Sequence, residues 1–277
     1  MNDLLFSAVI LGGSLLAGLL GSLTGLGGGV VLVPMLALLF KVDLHYAIGA
    51  SLISVIATSS GSAAAYVREG FSNIRIGMFL EIATTVGAIA GAWLATRTPT
   101  RGIAIVFGLV LLYSVYLSFH RHDDEIIPAN KWSDRFKMNG TYPDRDGSII
   151  HYAVKNISGG FGTMFGAGVL SGLLGIGSGA VKVLAMDHIM RIPFKVSTTT
   201  SNFMIGVTAA ASAGIYLRRG YIDPVLAAPV MIGVLIGSLL GAKILVKSNV
   251  KSLRVVFAAV IFALAIEMIY NGWMGKV

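Results

Sequence analysis

Long apolar stretches separated by short polar turns cover most of the chain. The first half contains five apolar segments: Leu4–Ser22, Leu26–Phe40, Ala47–Val67, Ile74–Thr96 and Gly102–Phe119. After the acidic residue at position 3, 37 residues pass without a charged side chain. As one straight helix they would extend about 55 Å, nearly twice a hydrocarbon core of about 30 Å. The pattern therefore predicts an all-α polytopic membrane protein whose first two segments fold into a hairpin at the glycines of positions 25–29.

The pattern of the first half recurs 150 residues later, without a gap for about ninety positions. The best preserved part is a glycine-rich break, where GLGGG at 25–29 corresponds to GIGSG at 175–179. Paired, glycine-interrupted apolar segments of this kind point to the binding site of a secondary transporter. We predict two homologous transmembrane repeats, 1–119 and 157–277, each with four or five membrane elements. The length of the first two segments favours five elements, which would invert the second repeat relative to the first; four, with one kinked first crossing, would leave the repeats parallel.

The composition indicates a membrane environment. Hydrophobic residues make up 55% of the 277 residues and charged residues 12%, against about 25% charged in soluble domains. The mean hydropathy is +0.81. The absence of cysteine excludes disulfides and thiolate sites. The net charge of +8 fits basic loops on the cytoplasmic side better than nucleic acid. We expect a multi-pass membrane protein, surrounded by lipid and without a cofactor or a metal, and we leave a homodimer open.

The one long polar stretch, residues 120–156, predicts a surface loop. In the ten-element topology, fourteen basic residues, six of them in this loop, share one side against six on the other. The positive-inside rule makes the loop cytoplasmic and places both termini outside. Within the loop, Asn139-Gly140 predicts a tight hairpin turn. The charge-rich run at 120–125 is interpreted as a solvated surface rather than a metal site.

Lys182 is the basic residue that falls inside an apolar segment, where the first half has Leu32. A lysine at the centre of a membrane helix costs at least about 2.5 kcal/mol, so its side chain should face a cavity or a partner. The first interpretation is functional, as the charge of an anion site. The alternatives are snorkelling to the interface or pairing with Glu81, Asp187 or Glu267.

The glycine breaks supply the other half of an anion site. A helix that restarts after a break presents unpaired N–H groups and about half a positive charge, which hold oxyanions. Five consecutive hydroxyl or amide side chains at 198–202 exceed what one helix cap needs. Two restarts that face each other would therefore form the site. The predicted substrate-binding residues are Gly25, Gly27, Gly28, Gly29, Gly175, Gly177, Ser178, Gly179, Lys182, Ser51, Ser201 and Asn202.

Four segments resemble the TauE/SafE sulfite exporter family. They are GSLTGLGGGVVLVP (21–34), SGLLGIGSGAVKV (171–183), TSNFMIGVTAAASA (200–213) and RRGYIDPVLAAPV (218–230). The resemblance covers nearly the whole chain. It implies an inner-membrane carrier of small sulfur-containing anions, such as sulfite, sulfoacetate or other sulfonates, driven by an ion gradient. Two departures, Ser178 in place of glycine and Leu184 where the first half has Pro34, predict a second hairpin of different shape.

We interpret the chain as a secondary active anion transporter that works by alternating access, and not as an enzyme. Glu81 and Glu267 are the candidates for proton coupling, since an intramembrane carboxylate titrates as its surroundings change. An anion channel stays an alternative because paired half-helices also line pores. A rhomboid-like enzyme is a more distant one, since Ser51 in the sequence Gly-Ala-Ser-Leu would need a base within hydrogen-bond reach.

Overall fold

The computed structural model describes residues 3–24, 28–68, 72–119, 138–143, 149–247 and 250–275. Each apolar segment predicted in the first half contains a helix, and the same order of helices follows in the second half. The elements of the first half are α1 (Asp3–Thr24), α2 (Gly29–Pro34), the π-helix π1 (Met35–Leu39), α3 (Leu44–Arg68), α4 (Ile74–Ala95) and α5 (Thr100–Phe119). Then come β1 (Gly140–Pro143), β2 (Ile149–Tyr152), α6 (Ile157–Leu174), α7 (Gly179–Leu184), π2 (Ala185–Ile189), α8 (Phe194–Arg218), α9 (Pro224–Lys247) and α10 (Val250–Met274).

A short helical segment folds back on the first helix of each half. In the first half, the side chain of Met35 in π1 lies against Gly13 of α1, and Gly28 lies beside Gly18. The segment α2–π1 therefore runs antiparallel to α1. The predicted hairpin at the glycine break is present.

The two hairpins have the same short helices but differ in backbone conformation at the residue before them, the position of the predicted difference: Gly28 has φ of −62° and Ser178 φ of 47°. Each continues from a six-residue α-helix into a five-residue π-helix. An i→i+5 hydrogen bond closes each, from Phe40 N to Met35 O (3.4 Å) and from Met190 N to Ala185 O (3.1 Å). Proline at position 34 removes only one donor at the α–π junction, and its replacement by leucine leaves the segment helical.

The halves interdigitate through small residues. Helix α1 packs along α9, and α4 packs along α6. At both interfaces glycines lie directly on the backbone of the opposite helix, so a Cβ there would overlap backbone atoms. Such small residues let helix backbones approach closely. The contacts occur in pairs that are related by a shift of 150 residues. In one pair, Gly18 lies on Val234 and Gly168 lies on Thr84. In the other pair, Gly237 lies on Leu15 and Gly87 lies on Phe165.

These contacts also give the helix directions. Along α4 and α6, residue numbers increase together, so those helices are parallel. Helices α5 and α10 are antiparallel, because Gly108 lies on Ala265 while Gly272 lies on Arg101. Helix α4 runs parallel to α8, since Gly77 lies beside Thr200 near their starts and Glu81 contacts Thr208 further along both helices.

A small antiparallel hairpin lies within the polar stretch. Strand β1 pairs with β2, with Gly140 opposite Tyr152. The turn predicted at Asn139-Gly140 is wrong, since Gly140 is already in β1 and the connection is 144–148, outside the described residues. The Asn139 side chain accepts a hydrogen bond from Val154 N (3.1 Å) and so closes the base of the hairpin. The charge-rich run at 120–125 also lies outside the described residues.

Two apolar clusters form the core. The larger surrounds α2, π1 and the start of α3. The smaller lies under the β-hairpin, between α4, α6, π2 and α8. Among the described residues, two helices are long and apolar enough to cross a membrane: α4, with a mean hydropathy of 1.5, and α6, with 1.4. Length and composition alone would also suit core helices of a soluble protein.

Candidate functional site

The two glycine breaks meet in the middle of the molecule. A Cβ on Gly29, at the start of α2, would lie 2.7 Å from Ser51 Oγ and 3.1 Å from Gly175 O. The first break therefore needs glycine because the second break lies against it. Gly25 and Gly27 lie outside the described residues.

The second break needs glycine for a different reason. Gly175 and Gly177 have φ of 68° and 71°, and Ser178 has φ of 47°. A left-handed conformation costs a non-glycine residue about 1–2 kcal/mol. At the corresponding position of the first break, Gly28 has φ of −62°. Ser178 Oγ is buried and, among the described residues, has no hydrogen-bond partner, so the strained serine presents an unused hydroxyl inside the junction.

Serines hold the breaks in place. Ser51 Oγ on α3 donates to Gly175 O (2.8 Å), and Ser201 Oγ on α8 donates to Gly179 O (3.3 Å). Both serines are buried. Their hydroxyls position the backbone of the restarts in this structure. Asn202 is half-buried, and no described residue makes a hydrogen bond with its amide.

Lys182 is completely buried in α7. Side chains lean toward the N-terminus of their helix, and its Nζ donates to Thr208 Oγ1 on α8 (2.5 Å). Thr208 follows, by three residues, Ile205, whose side chain lies against Gly177. The ammonium group therefore lies about one helical turn from the second glycine break.

Glu81 on α4 completes a buried polar cluster. Its Oε1 accepts hydrogen bonds from Thr208 Oγ1 (2.6 Å) and Thr85 Oγ1 (3.1 Å). Its Oε2 is buried and has no partner among the described residues. We call Lys182, Thr208 and Glu81 the buried triad. It joins a cation and a carboxylate through one hydroxyl, and it connects the two halves of the chain.

The other predicted partners of the lysine lie elsewhere. Asp187 is 3.6 Å from His188 within π2, and Glu267 is exposed on α10. Of the carboxylates proposed from the sequence, the structure brings Glu81 to Lys182. Glu267 is not brought to the site.

The residues that correspond to the buried triad in the opposite halves of the chain carry no charge. Residues that correspond to the buried triad at a spacing of 150 are Leu32, Thr58 and Met231. The Thr58 hydroxyl donates to Ser54 O (3.0 Å) in its own helix. Thr208 was not predicted from the sequence as a site residue. The signal that could have identified it is that threonine occurs at both corresponding positions, 58 and 208, of two apolar helices.

Comparison with known proteins identifies the family. The family model described as Sulfite exporter TauE/SafE matches residues 10–268. This chain belongs to the TauE/SafE family. It is 30% identical over 272 residues to the probable membrane transporter protein YunE of Bacillus subtilis, covering 95% of this chain and 97% of YunE. It is 26% identical to YdhB of the same organism, over 82% of this chain and 86% of YdhB. No solved structure matches.

A more distant relative has the same description. The TauE/SafE chain is 25% identical over 270 residues to a probable membrane transporter protein of Methanocaldococcus jannaschii, over 92% of each chain. The protein is therefore a membrane-embedded transporter and not an enzyme. The rhomboid-like alternative is set aside, and the Ser51 hydroxyl donates to a backbone carbonyl.

The β-hairpin of this TauE/SafE protein covers one end of the helices that carry the triad. Asn73 accepts from Ile76 N at the start of α4 and donates from Nδ2 to Tyr152 Oη (2.8 Å) in β2. Its backbone N donates to Thr200 Oγ1 on α8 (3.0 Å). Burial raises the pKa of Tyr152 above its usual value, an effect that the Asn73 hydrogen bond opposes. The hairpin thus lies about two turns of α4 from Glu81.

Proposed function

We propose that this TauE/SafE protein is a secondary active transporter of small sulfur-containing anions, such as sulfite, sulfoacetate or other sulfonates. The observation that carries the proposal is the complete burial of Lys182 beside the second glycine break. A buried ammonium group in a membrane protein marks a substrate or ion pathway. Among the described residues it makes one hydrogen bond, so two of its three hydrogens remain for the oxygens of an anion. The sulfur chemistry follows from the family description.

We also propose that the chain crosses the inner membrane several times as two inverted repeats, 1–119 and 157–277, joined by a cytoplasmic loop at 120–156. Antiparallel packing of the corresponding helices α5 and α10 supports inversion. So does the contact between the two glycine breaks, because inverted repeats place their broken helices around one central site. Rocking of the interdigitated helices would then expose the site to each side in turn.

The proton is the proposed coupling ion. Glu81 is favoured over Glu267 because it lies in the buried triad, whereas Glu267 is exposed. A carboxylate within hydrogen-bond reach of the group that holds Lys182 responds to the charge state of the site, since nearby charges decide whether it binds a proton.

Transport in proteoliposomes tests the proposal. The panel is sulfite, sulfoacetate, methanesulfonate, taurine, sulfate and chloride, with and without a proton gradient. We expect saturable, gradient-driven flux of a sulfonate or sulfite in the wild type. Because a charged hydrogen bond contributes about 1.5–3 kcal/mol, Lys182→Met should lower the flux about tenfold or more, and Lys182→Arg should retain part of it.

Arg219→Gln is the matched control. It removes one cation from the exposed end of α8 and should leave the flux unchanged. Flux that increases linearly with concentration would instead indicate a channel. Normal flux in Lys182→Met would contradict the assignment of the anion site to the lysine.

A further inference from the structure

Thr208 Oγ1 has three polar neighbours. Lys182 Nζ lies at 2.5 Å, Glu81 Oε1 at 2.6 Å and Met204 O at 3.0 Å. A hydroxyl has one hydrogen and two lone pairs. The lysine can only donate, so it uses one lone pair, and the single hydrogen of Thr208 must go either to Glu81 or to Met204 O.

Each position of that hydrogen matches one protonation state of Glu81. When the hydroxyl donates to Glu81 Oε1, the carboxylate is ionised. When it donates to Met204 O, the short contact with Oε1 requires a proton on Glu81, which then donates to the second lone pair of Thr208. Both states fit the same positions of the heavy atoms, so the site can take up a proton without repacking.

We propose that Glu81 is the internal counter-anion of Lys182, and that binding of a substrate anion at the lysine makes Glu81 take up one proton through the switch of the Thr208 hydrogen. This inference rests on the proposed function, because it assumes that Lys182 binds the anion. In the empty site, the charges of Lys182 and Glu81 cancel. In the occupied site, the anion cancels the charge of Lys182, and one proton from water neutralises Glu81.

The surroundings contain few other groups that could compensate the charge. Helix α6, which packs along α4, carries no titratable residue. On α4 itself the other titratable residue is Arg75, in the first turn of the helix. On α8 the titratable residues other than tyrosine, Lys195 and Arg218, are near the two ends, and Tyr216 donates to Gly172 O. On α7 and π2 they are Lys182 itself, Asp187 and His188. An ion left unpaired in a buried site is strongly disfavoured, so anion binding and proton uptake occur together, with about one proton per monovalent anion.

Proton uptake on anion binding tests the inference. Purified full-length protein in lipid nanodiscs is titrated with methanesulfonate, whose sulfonate group does not titrate near neutral pH. Calorimetry in two buffers of different ionisation enthalpy gives the number of protons bound. The wild type should take up about one proton per anion. Glu81→Gln should bind the anion with no proton uptake.

Variants at the threonine separate the switch from a structural effect. Thr208→Val keeps the shape but removes the hydroxyl, and proton uptake should be lost. Thr208→Ser should restore it. Thr58→Val is the matched control, since it removes the corresponding hydroxyl on the side without charges and should behave as the wild type.

The two proposals fail in different ways. If the wild type binds methanesulfonate but Glu81→Gln or Thr208→Val still takes up a full proton, the inference is overturned and the transporter function stands. If the wild type binds none of methanesulfonate, sulfoacetate and sulfite, the proposed function fails and the inference fails with it.

Discussion

A double-mutant cycle across the buried triad should detect strong coupling between Lys182 and Glu81. Thr208 contacts both side chains, so the two charges are no more than about 5 Å apart. At an effective dielectric constant of about 20, Coulomb's law gives about 3 kcal/mol for this separation. Removing one partner of a buried pair costs about 3–5 kcal/mol, because the other charge stays behind without compensation. Lys182→Met should therefore destabilise the protein by about 3–5 kcal/mol.

Thermal unfolding of the purified protein measures the effect. At about 2–4 °C per kcal/mol for a chain of this size, Lys182→Met should lower Tm by roughly 6–20 °C at neutral pH. Glu81→Gln should also lower Tm. The double variant should lose about 3 kcal/mol less than the sum of the two single variants, since it leaves no unpaired charge.

Additivity would refute the reasoning. If the double variant lowered Tm by the sum of the single changes, the two side chains would not interact, whatever their distance. Thr58→Val is the control: it gives the change in Tm caused by removing a hydroxyl from a similar helical environment without a charge. Raising the salt concentration should change the coupling little, because buried pairs are weakly screened.

Three further predictions concern residues with close backbone contacts or a left-handed backbone conformation. Gly29→Ala should destabilise the protein by about 1–3 kcal/mol, seen as a lower Tm, because its Cβ would lie 2.7 Å from Ser51 Oγ. Ser178→Gly should instead raise Tm slightly, since glycine removes the strain of a φ of 47°; a fall would mean that the hydroxyl contributes more than the strain costs. Single cysteines at Lys41 and Arg191, corresponding residues with φ of 55° and 57°, should be labelled from opposite sides of the membrane, and labelling from the same side would contradict inversion.

The sequence predicted the helices and the position of the glycine breaks because both depend on local properties. An apolar run of about twenty residues forms a helix wherever the chain is embedded in lipid. A cluster of glycines interrupts that helix regardless of its partners. The burial of Lys182 also followed locally, from the cost of exposing an ammonium group to hydrocarbon.

The contents of the site depended on contacts between distant parts of the chain. Glu81 and Glu267 looked equivalent, since each is one acidic residue in an apolar helix, and only the packing of α4 against α8 separates them. Thr208 carried no chemical signal of its own because threonine is common in such helices. The turn at Asn139-Gly140 failed because pairing with β2 placed Gly140 in a strand.

The interdigitated glycine interfaces determine the order in which the protein can be assembled. Helix α4 has its small-residue face against α6, which is synthesised only after the central polar stretch. Helix α1 packs against α9, which is synthesised near the end of the chain. A fragment that ends at residue 119 would leave both faces without a partner in the bilayer. We expect such a fragment to be degraded when made alone, and to be rescued when the remaining part of the chain is made in the same cell.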